Sequence, residues 1–160
     1  MTNDLQLVEI TLTNVGLISP LFDAYRQFYG QPPDLEGARR FLFERLQRGE
    51  SVVFAAVEGE NALGFMQLYP SFSSVSMKPI WILNDLFVDE KVRRRGIGAR
   101  LLKAAVGHAQ RTGAVRLVLA TGVENTTAQA LYEREAWQKD SAFFHYKYVL
   151  SEAGDPTKIE

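Results

Sequence analysis

Apolar residues along this chain change their spacing several times, and each change marks an element. Leu5 to Leu12 alternates imperfectly, with Leu5 and Leu7 on one phase and Val8, Ile10 and Leu12 on the other, as in a strand carrying a bulge. From Leu17 the spacing turns helical: Leu17, Leu21, Tyr25 and Phe28 form a stripe beside Ile18, Phe22 and Tyr29, and Gly30 stands where a helix would stop. Pro32 and Pro33 break the chain, Asp34 is placed to cap, and Leu35, Ala38, Leu42 and Leu46 carry a second helical stripe to Gly49. Val52 to Val57 is continuously apolar, the signature of a strand buried on both faces. Turn chemistry at Glu58-Gly59-Glu60-Asn61 joins it to Ala62–Tyr69 in a predicted hairpin.

After the polar stretch Ser71–Ser76, a strongly apolar strand is predicted from Ile80 to Val88, interrupted only by Asn84-Asp85. Ile97, Leu101, Leu102, Ala105 and Ala109 then space a helix that Gly113 ends, and Val115–Ala120 reads as a strand again. Strand, helix, strand implies a parallel pair. Asn125 or Thr126 can cap a last helix reaching about Glu135. Phe143–Leu150 alternates, with Phe144, Tyr146, Tyr148 and Leu150 on one face of an expected closing strand. No repeat or linker divides the pattern, so one domain is expected over residues 1–150, with a loose tail at 151–160.

At 160 residues, 46% hydrophobic and 23% charged, the chain can build one sizeable core and lacks the composition of disorder. Its formal net charge of −1 supplies no global field for a nucleic-acid backbone, so any anion site must be local and no nucleic-acid partner is expected. With no cysteine and two distant histidines, thiol nucleophiles and metal clusters are not expected. Asp4 stands where a signal peptide would carry a cation, and no apolar run reaches the ~20 residues of a membrane span. A metal-free cytoplasmic protein with no membrane partner is the expectation.

The neutral average hides one strongly biased segment. Lys91, Arg93, Arg94, Arg95 and Arg100 fall within ten residues, at the junction of a buried strand and a helix that begins around Gly96 and Gly98. Glycines there let an anion approach the backbone, and the free N–H groups and positive dipole end of a helix start favour it. Cations at a helix N-terminus oppose the dipole, so an arginine cluster there is better explained by a bound anion than by solvation alone. A P-loop would need Gly-Lys-Ser/Thr, and a dinucleotide fingerprint would need glycine in place of Leu101.

Arg93-x-x-Gly96-x-Gly98 after a strand resembles the Gln/Arg-x-x-Gly-x-Gly/Ala signature of the GCN5-related N-acetyltransferases, and the element order agrees along most of the chain. Gly64-Phe65-Met66, Asn84 to Val88 and Asn125 to Tyr132 look most like the diamine and polyamine branch. The resemblance implies an α/β fold with a splayed mixed sheet of six to seven strands and about four helices, and acetyl-CoA as co-substrate in the gap between the Val88 and Val115–Ala120 strands. It implies that backbone groups of Leu86, Phe87 and Val88 hold the pantetheine arm and acetyl carbonyl. The N–H groups of Arg93, Arg94, Arg95, Gly96, Ile97, Gly98 and Ala99 would take the pyrophosphate, with Asn125 and Ala128 near the cofactor.

Tyr132 matches the family tyrosine that protonates the leaving thiolate, a role whose proton affinity suits a phenol. It lies seven residues, about two turns, beyond Asn125. At Asn84 the polyamine branch usually has glutamate, and an amide cannot accept a proton at neutral pH. Asp85 follows, but strand alternation points it to the other face unless a bulge turns it. The base is therefore left open, with water, Glu124 and Glu133 as further candidates. Tyr25, Phe28 and Tyr29 read first as core; the resemblance puts acceptor-site residues on these first helices, which makes Tyr25, Tyr29, Asn84 and Asp85 the substrate-site candidates. His108 is expected to face solvent and His145 to be a half-exposed strand residue, while Trp81 and Trp137 carry no separate signal.

The resulting expectation is direct acetyl transfer to a primary amine, polyamine-like or a lysine side chain, in a protein able to form a homodimer. Asn84 in place of the acid leaves a rival reading, a CoA-binding module without activity.

Overall fold

The computed structural model describes residues 4–150; the tail expected at 151–160 lies outside them. Two compact units divide between Leu119 and Ala120.

The first unit is built on one sheet with strand order β1-β2-β3-β4-β5. Its strands are β1 (Gln6–Glu9), β2 (Val52–Glu58), β3 (Asn61–Ser73), β4 (Lys78–Val88) and β5 (Leu117–Val118). The first four pair antiparallel and β5 lies parallel to β4, so the mixed sheet has five strands rather than six or seven. Helices α1 (Ser19–Phe28) and α2 (Leu35–Gln47) precede β2, and α3 (Ile97–Arg111) connects β4 to β5. This α/β architecture is the one expected.

Each helix forms where its stripe finds a face of the sheet. Ile18, Leu21, Phe22 and Tyr25 pack with Ala38, Leu42, Val53, Ala55, Val57 and Phe65 in the main core. Asp34 caps α2 by accepting from the Gly37 N–H at 2.9 Å. Ile97, Leu101, Leu102 and Ala105 of α3 are buried too, as are Met66 and Leu68 of β3. Burying one such Leu contributes about 1.5–3 kcal/mol, so the stripes dominate the helices' stability.

The strand boundaries differ from the hydropathy reading where pairing outruns pattern. β3 reaches Ser73 through residues expected to be loop, because Ser71, Phe72 and Ser73 pair with Ile80, Pro79 and Lys78. β1 is shorter than Leu5–Leu12 and has no bulge, its four residues pairing in unbroken register with Phe54–Val57. β5 is two residues where six were expected.

The second unit contains α4 (Thr126–Arg134), capped as expected by Asn125, whose Oδ1 accepts from the Ala128 N–H at 3.2 Å. Phe143–Leu150 forms no strand, which corrects the predicted closing element. Alternation supplies an apolar face, but a strand also needs a hydrogen-bonded partner. Phe144, Tyr146, Tyr148 and Leu150 are accordingly exposed, and His145 sits in no strand.

Candidate active site

The chemistry-bearing segment begins where β4 departs from regular pairing. Gln67 lies opposite Asp85 and Leu68 opposite Leu83, so Asn84 is an extra residue, a bulge at the expected interruption. Directly opposed residues share a face. Leu83 therefore sides with Leu68, while Asp85 sides with Gln67, in line with Phe65 and Phe87. The rings of Phe65 and Phe87 lie 5.9 Å and 6.0 Å from that of Tyr25, so this is the α1 face.

The bulge also coincides with the end of β4–β5 pairing, which covers only Trp81↔Leu117 and Ile82↔Val118. A bulge increases local twist, which accounts for the strands parting at this point. From residue 83 to 88, β4 keeps β3 on one side and meets no strand of its unit on the other. Leu86, Phe87 and Val88 thus lie on an edge that no strand of their unit covers. At its lower end β4 is anchored: Trp81 Nε1 donates to Thr112 Oγ1 at 2.8 Å, and the Trp81 ring meets His108 at 4.8 Å. His108 is therefore partly buried rather than solvent-facing, with Nε2 unpaired among the described residues. Burial, followed by the Arg111 charge, lowers its pKa from 6.5, against a smaller opposing effect of Glu9.

Beyond Val88 the chain turns into α3 through two left-handed positions, Arg94 (φ 68°) and Gly96 (φ 74°). Left-handed backbone is strained for arginine and easy for glycine, and such strain clusters at ligand sites. Gly96 is the N-cap of α3 without any capping side chain. The first intrahelical bond runs from Arg100 N to Gly96 O, so the N–H groups of Ile97, Gly98 and Ala99 precede the helical ladder. An added Cβ on Gly96 would meet nothing within 4 Å, leaving the backbone open to a ligand. Gly64 serves the same junction differently: a Cβ there would lie 3.0 Å from the Phe87 carbonyl oxygen and 3.2 Å from Ile97 Cγ2, so glycine permits the close approach.

The arginines do not act as one block. Arg93 Nε donates to the Val88 carbonyl at 3.2 Å with its guanidinium 6.0 Å over the Phe87 ring. Arg95 Nη2 meets Glu58 Oε2 at 2.7 Å, and Arg100 Nη2 donates to the Leu5 carbonyl at 3.1 Å. Arg94 has no such partner among the described residues and is exposed.

Asp85 is a buried carboxyl group on the α1 face. Its Oδ1 accepts from Asn84 Nδ2 at 3.0 Å and its Oδ2 from Gln67 Nε2, while Tyr25 OH reaches the Asn84 carbonyl at 3.4 Å. Tyr29 stacks edge-on to Tyr25 at 5.1 Å. The structure thus gathers Tyr25, Tyr29, Asn84 and Asp85, the four substrate-site candidates. It adds Gln67, which no sequence motif marked; its signal was its place inside an otherwise apolar strand.

In the second unit, α4 ends in a Schellman motif: Ala136 has φ 68°, its N–H bonds Glu133 O at 3.1 Å, and Trp137 N bonds Tyr132 O at 2.9 Å. The hydrophobic contact that accompanies this motif is Tyr132 against Trp137, with centroids 6.3 Å apart. Trp137 therefore packs beside the Tyr132 ring, a contact absent from the sequence reading. Asn125 and Ala128, expected near the cofactor, are joined to each other by the helix cap.

Among the described residues no group of three metal-ligating side chains exists and no helix is long and apolar enough to cross a membrane.

Residues 18–136 match the model of the acetyltransferase (GNAT) family. The chain is 49% identical over 134 residues, 84% of this chain and 90% of the relative, to the uncharacterized N-acetyltransferase YhfO of Bacillus subtilis (strain 168). The crystal structure of a probable acetyltransferase superposes with TM-score 0.87 at 43% identity, covering 92% of this chain and 99% of the other. An aminoglycoside N-acetyltransferase, AAC(6')-Iy, solved in complex with CoA, shares the fold at TM-score 0.76 and 18% identity, covering 91% of this chain and 95% of that one.

Proposed function

This chain belongs to the GNAT acetyltransferase family, and from that premise we propose that it passes the acetyl group of acetyl-CoA directly to a primary amine, polyamine-like or a lysine side chain. The observation that carries this reading is the uncapped, glycine-led start of α3 following a strand that pairs with no strand of its unit on its outer edge from 83 to 88. Phosphates suit such a helix start, because the free N–H groups and the dipole act on one anion together.

In this reading the N–H groups from Arg93 to Ala99 hold the pyrophosphate, Arg94 adds charge, and Leu86, Phe87 and Val88 hold the pantetheine arm through their backbone. Bound acetyl-CoA supplies an activated thioester. The residues around it position the acceptor, a proximity effect that contributes much of the acceleration. Tyr132 gives its phenolic proton to the departing thiolate, with Asn125 and Ala128 of the same helix beside the cofactor. Tyr25, Tyr29, Asn84 and Asp85 hold the acceptor. The polyamine-like acceptor is supported by the likeness of Gly64-Phe65-Met66, Asn84 to Val88 and Asn125 to Tyr132 to that branch.

Release of CoA thiol, followed across spermidine, N-α-acetyl-lysine amide, an amino acid and an aminoglycoside, tests the reading. Turnover with spermidine or the lysine derivative supports it. A protein that binds CoA and acetylates none of them is a CoA-binding module instead.

A further inference from the structure

Gln67 is wholly buried and Asp85 is 2% exposed, so two strongly polar side chains sit side by side within an apolar sheet. A buried carboxylate is costly unless something compensates it. Regular alternation would place Asp85 on the face of Leu83, but the bulge at Asn84 separates them, sending Leu83 toward the α3 side and Asp85 toward α1. Gln67 Nε2 and Asn84 Nδ2, which both donate to Asp85, suit its ionised form, which only accepts.

Gln67 carries a second signal. Its Nε2 is committed to Asp85, whereas its Oε1, on the same amide carbon and so beside the carboxylate, meets no donor among the described residues. A buried amide oxygen left without a donor is destabilising, and a carboxylate beside it adds negative charge. The complementary group is a cation made only of donors, and the protonated amine of the acetyl-transfer reading is one. Aromatic rings complete the surroundings: Tyr25 lies against Phe87, and Phe28 against both Tyr29 and Phe87, with Phe28 57% exposed and so reaching solvent. Ring faces attract cations as well.

We infer that Asp85 receives the acceptor's ammonium and takes its proton, and that Gln67 is the positioning residue that holds Asp85 for this step. The carboxylate removes one proton from R–NH3+, leaving R–NH2 with a free electron pair. That pair attacks the thioester carbonyl; the C–N bond forms, the C–S bond breaks, and the second amine proton balances the thiolate as thiol. Asp85 then returns its proton to solvent. The inference rests on the acetyl-transfer reading above and fills the position that Asn84 cannot fill.

The test compares two amines, butylamine, protonated at neutral pH, and 2,2,2-trifluoroethylamine, which is largely neutral there and needs no prior deprotonation. Asp85→Asn is expected to lower kcat/KM for butylamine by a hundredfold or more, the scale of a lost general base. For trifluoroethylamine the loss should stay under about tenfold. Gln67→Met, similar in shape but without a donor, should show the same selectivity at smaller size, and it carries the test if Asp85→Asn does not fold. Equal losses on both amines, no loss on either, or a wild-type protein that binds CoA yet acetylates neither amine would overturn the inference. Calorimetric titration with CoA runs alongside: failure of the wild type to bind CoA removes the acetyl-transfer reading itself, whereas retained binding with no amine selectivity removes only the role of Asp85.

Discussion

Arg95 Nη2 and Glu58 Oε2 lie 2.7 Å apart, tying the turn before α3 to the end of β2 across 37 residues of sequence. Both side chains retain solvent contact, so the pair itself is worth at most about 1 kcal/mol. Its consequence is competition, because the Glu58 carboxylate neutralises part of the Arg95 charge that a phosphate would otherwise meet. Glu58→Gln frees Arg95 and removes a negative charge, and CoA should bind about twofold to fivefold tighter, as expected for release of a surface pair. Calorimetry decides; weaker binding would mean that Glu58 holds Arg95 in its binding position.

Among the described residues, Arg94 has no partner to leave. Arg94→Ala should therefore weaken CoA more than Arg95→Ala does, by about 1–3 kcal/mol for a guanidinium that meets a phosphate. The effect should shrink at high salt, as the interaction is screened. Equal affinities of wild type and Arg94→Ala across salt would make this arginine a solvated one.

His108 predicts a pH effect on stability rather than on catalysis. Burial, then Arg111, lowers its pKa in the folded protein below 6.5, so the native state disfavours the imidazolium. Below 6.5 the unfolded chain takes up the proton more readily than the folded one does, and stability falls with pH. This contribution is complete above 6.5 and is lost as pH drops from there through the lowered folded value. Wild type should lose more Tm than His108→Gln between about pH 7.5 and about pH 5.5. Parallel losses in the two proteins would show that the imidazole titrates alike in both states.

Tyr132→Phe keeps the ring that packs on Trp137 and removes only the hydroxyl. kcat should fall by about tenfold or more while both Michaelis constants hold, since the leaving thiolate carries charge only as the transition state is reached. Steady-state kinetics with acetyl-CoA and a fixed amine check it. Full activity would return Tyr132 to its packing role at the end of α4.

What the sequence could show depended on whether a signal was local. The helices α1 to α4, the cap at Asp34 and the turn at Gly59 follow from spacing and capping within one element. The Asn84-Asp85 interruption was visible too, and with it the alternative of a bulge that turns Asp85. Whether it does depends on Gln67, a partner eighteen positions away that only the β3–β4 register reveals. The same limit hid Glu58 beneath Arg95 and Trp81 beneath His108, both contacts between distant segments. Phe143–Leu150 shows the opposite failure, because a clean alternation was present but no ladder partner formed. Boundaries moved for a related reason: β3 extends through Ser71–Ser73 since hydrogen bonding to β4 overrides polar composition.

Calorimetric titration of CoA into wild type and Gly98→Glu tests whether CoA binds through its phosphates at the start of α3. Gly98 is preferable to Gly96 because it lies inside the helix, whereas Gly96 at φ 74° would strain under any side chain. A glutamate at Gly98 puts bulk and negative charge where the proposed reading brings the phosphates, without opposing helix formation. Wild type is expected to bind CoA, and Gly98→Glu, with an unchanged circular dichroism spectrum, is expected not to. Equal affinity in a folded Gly98→Glu would contradict it.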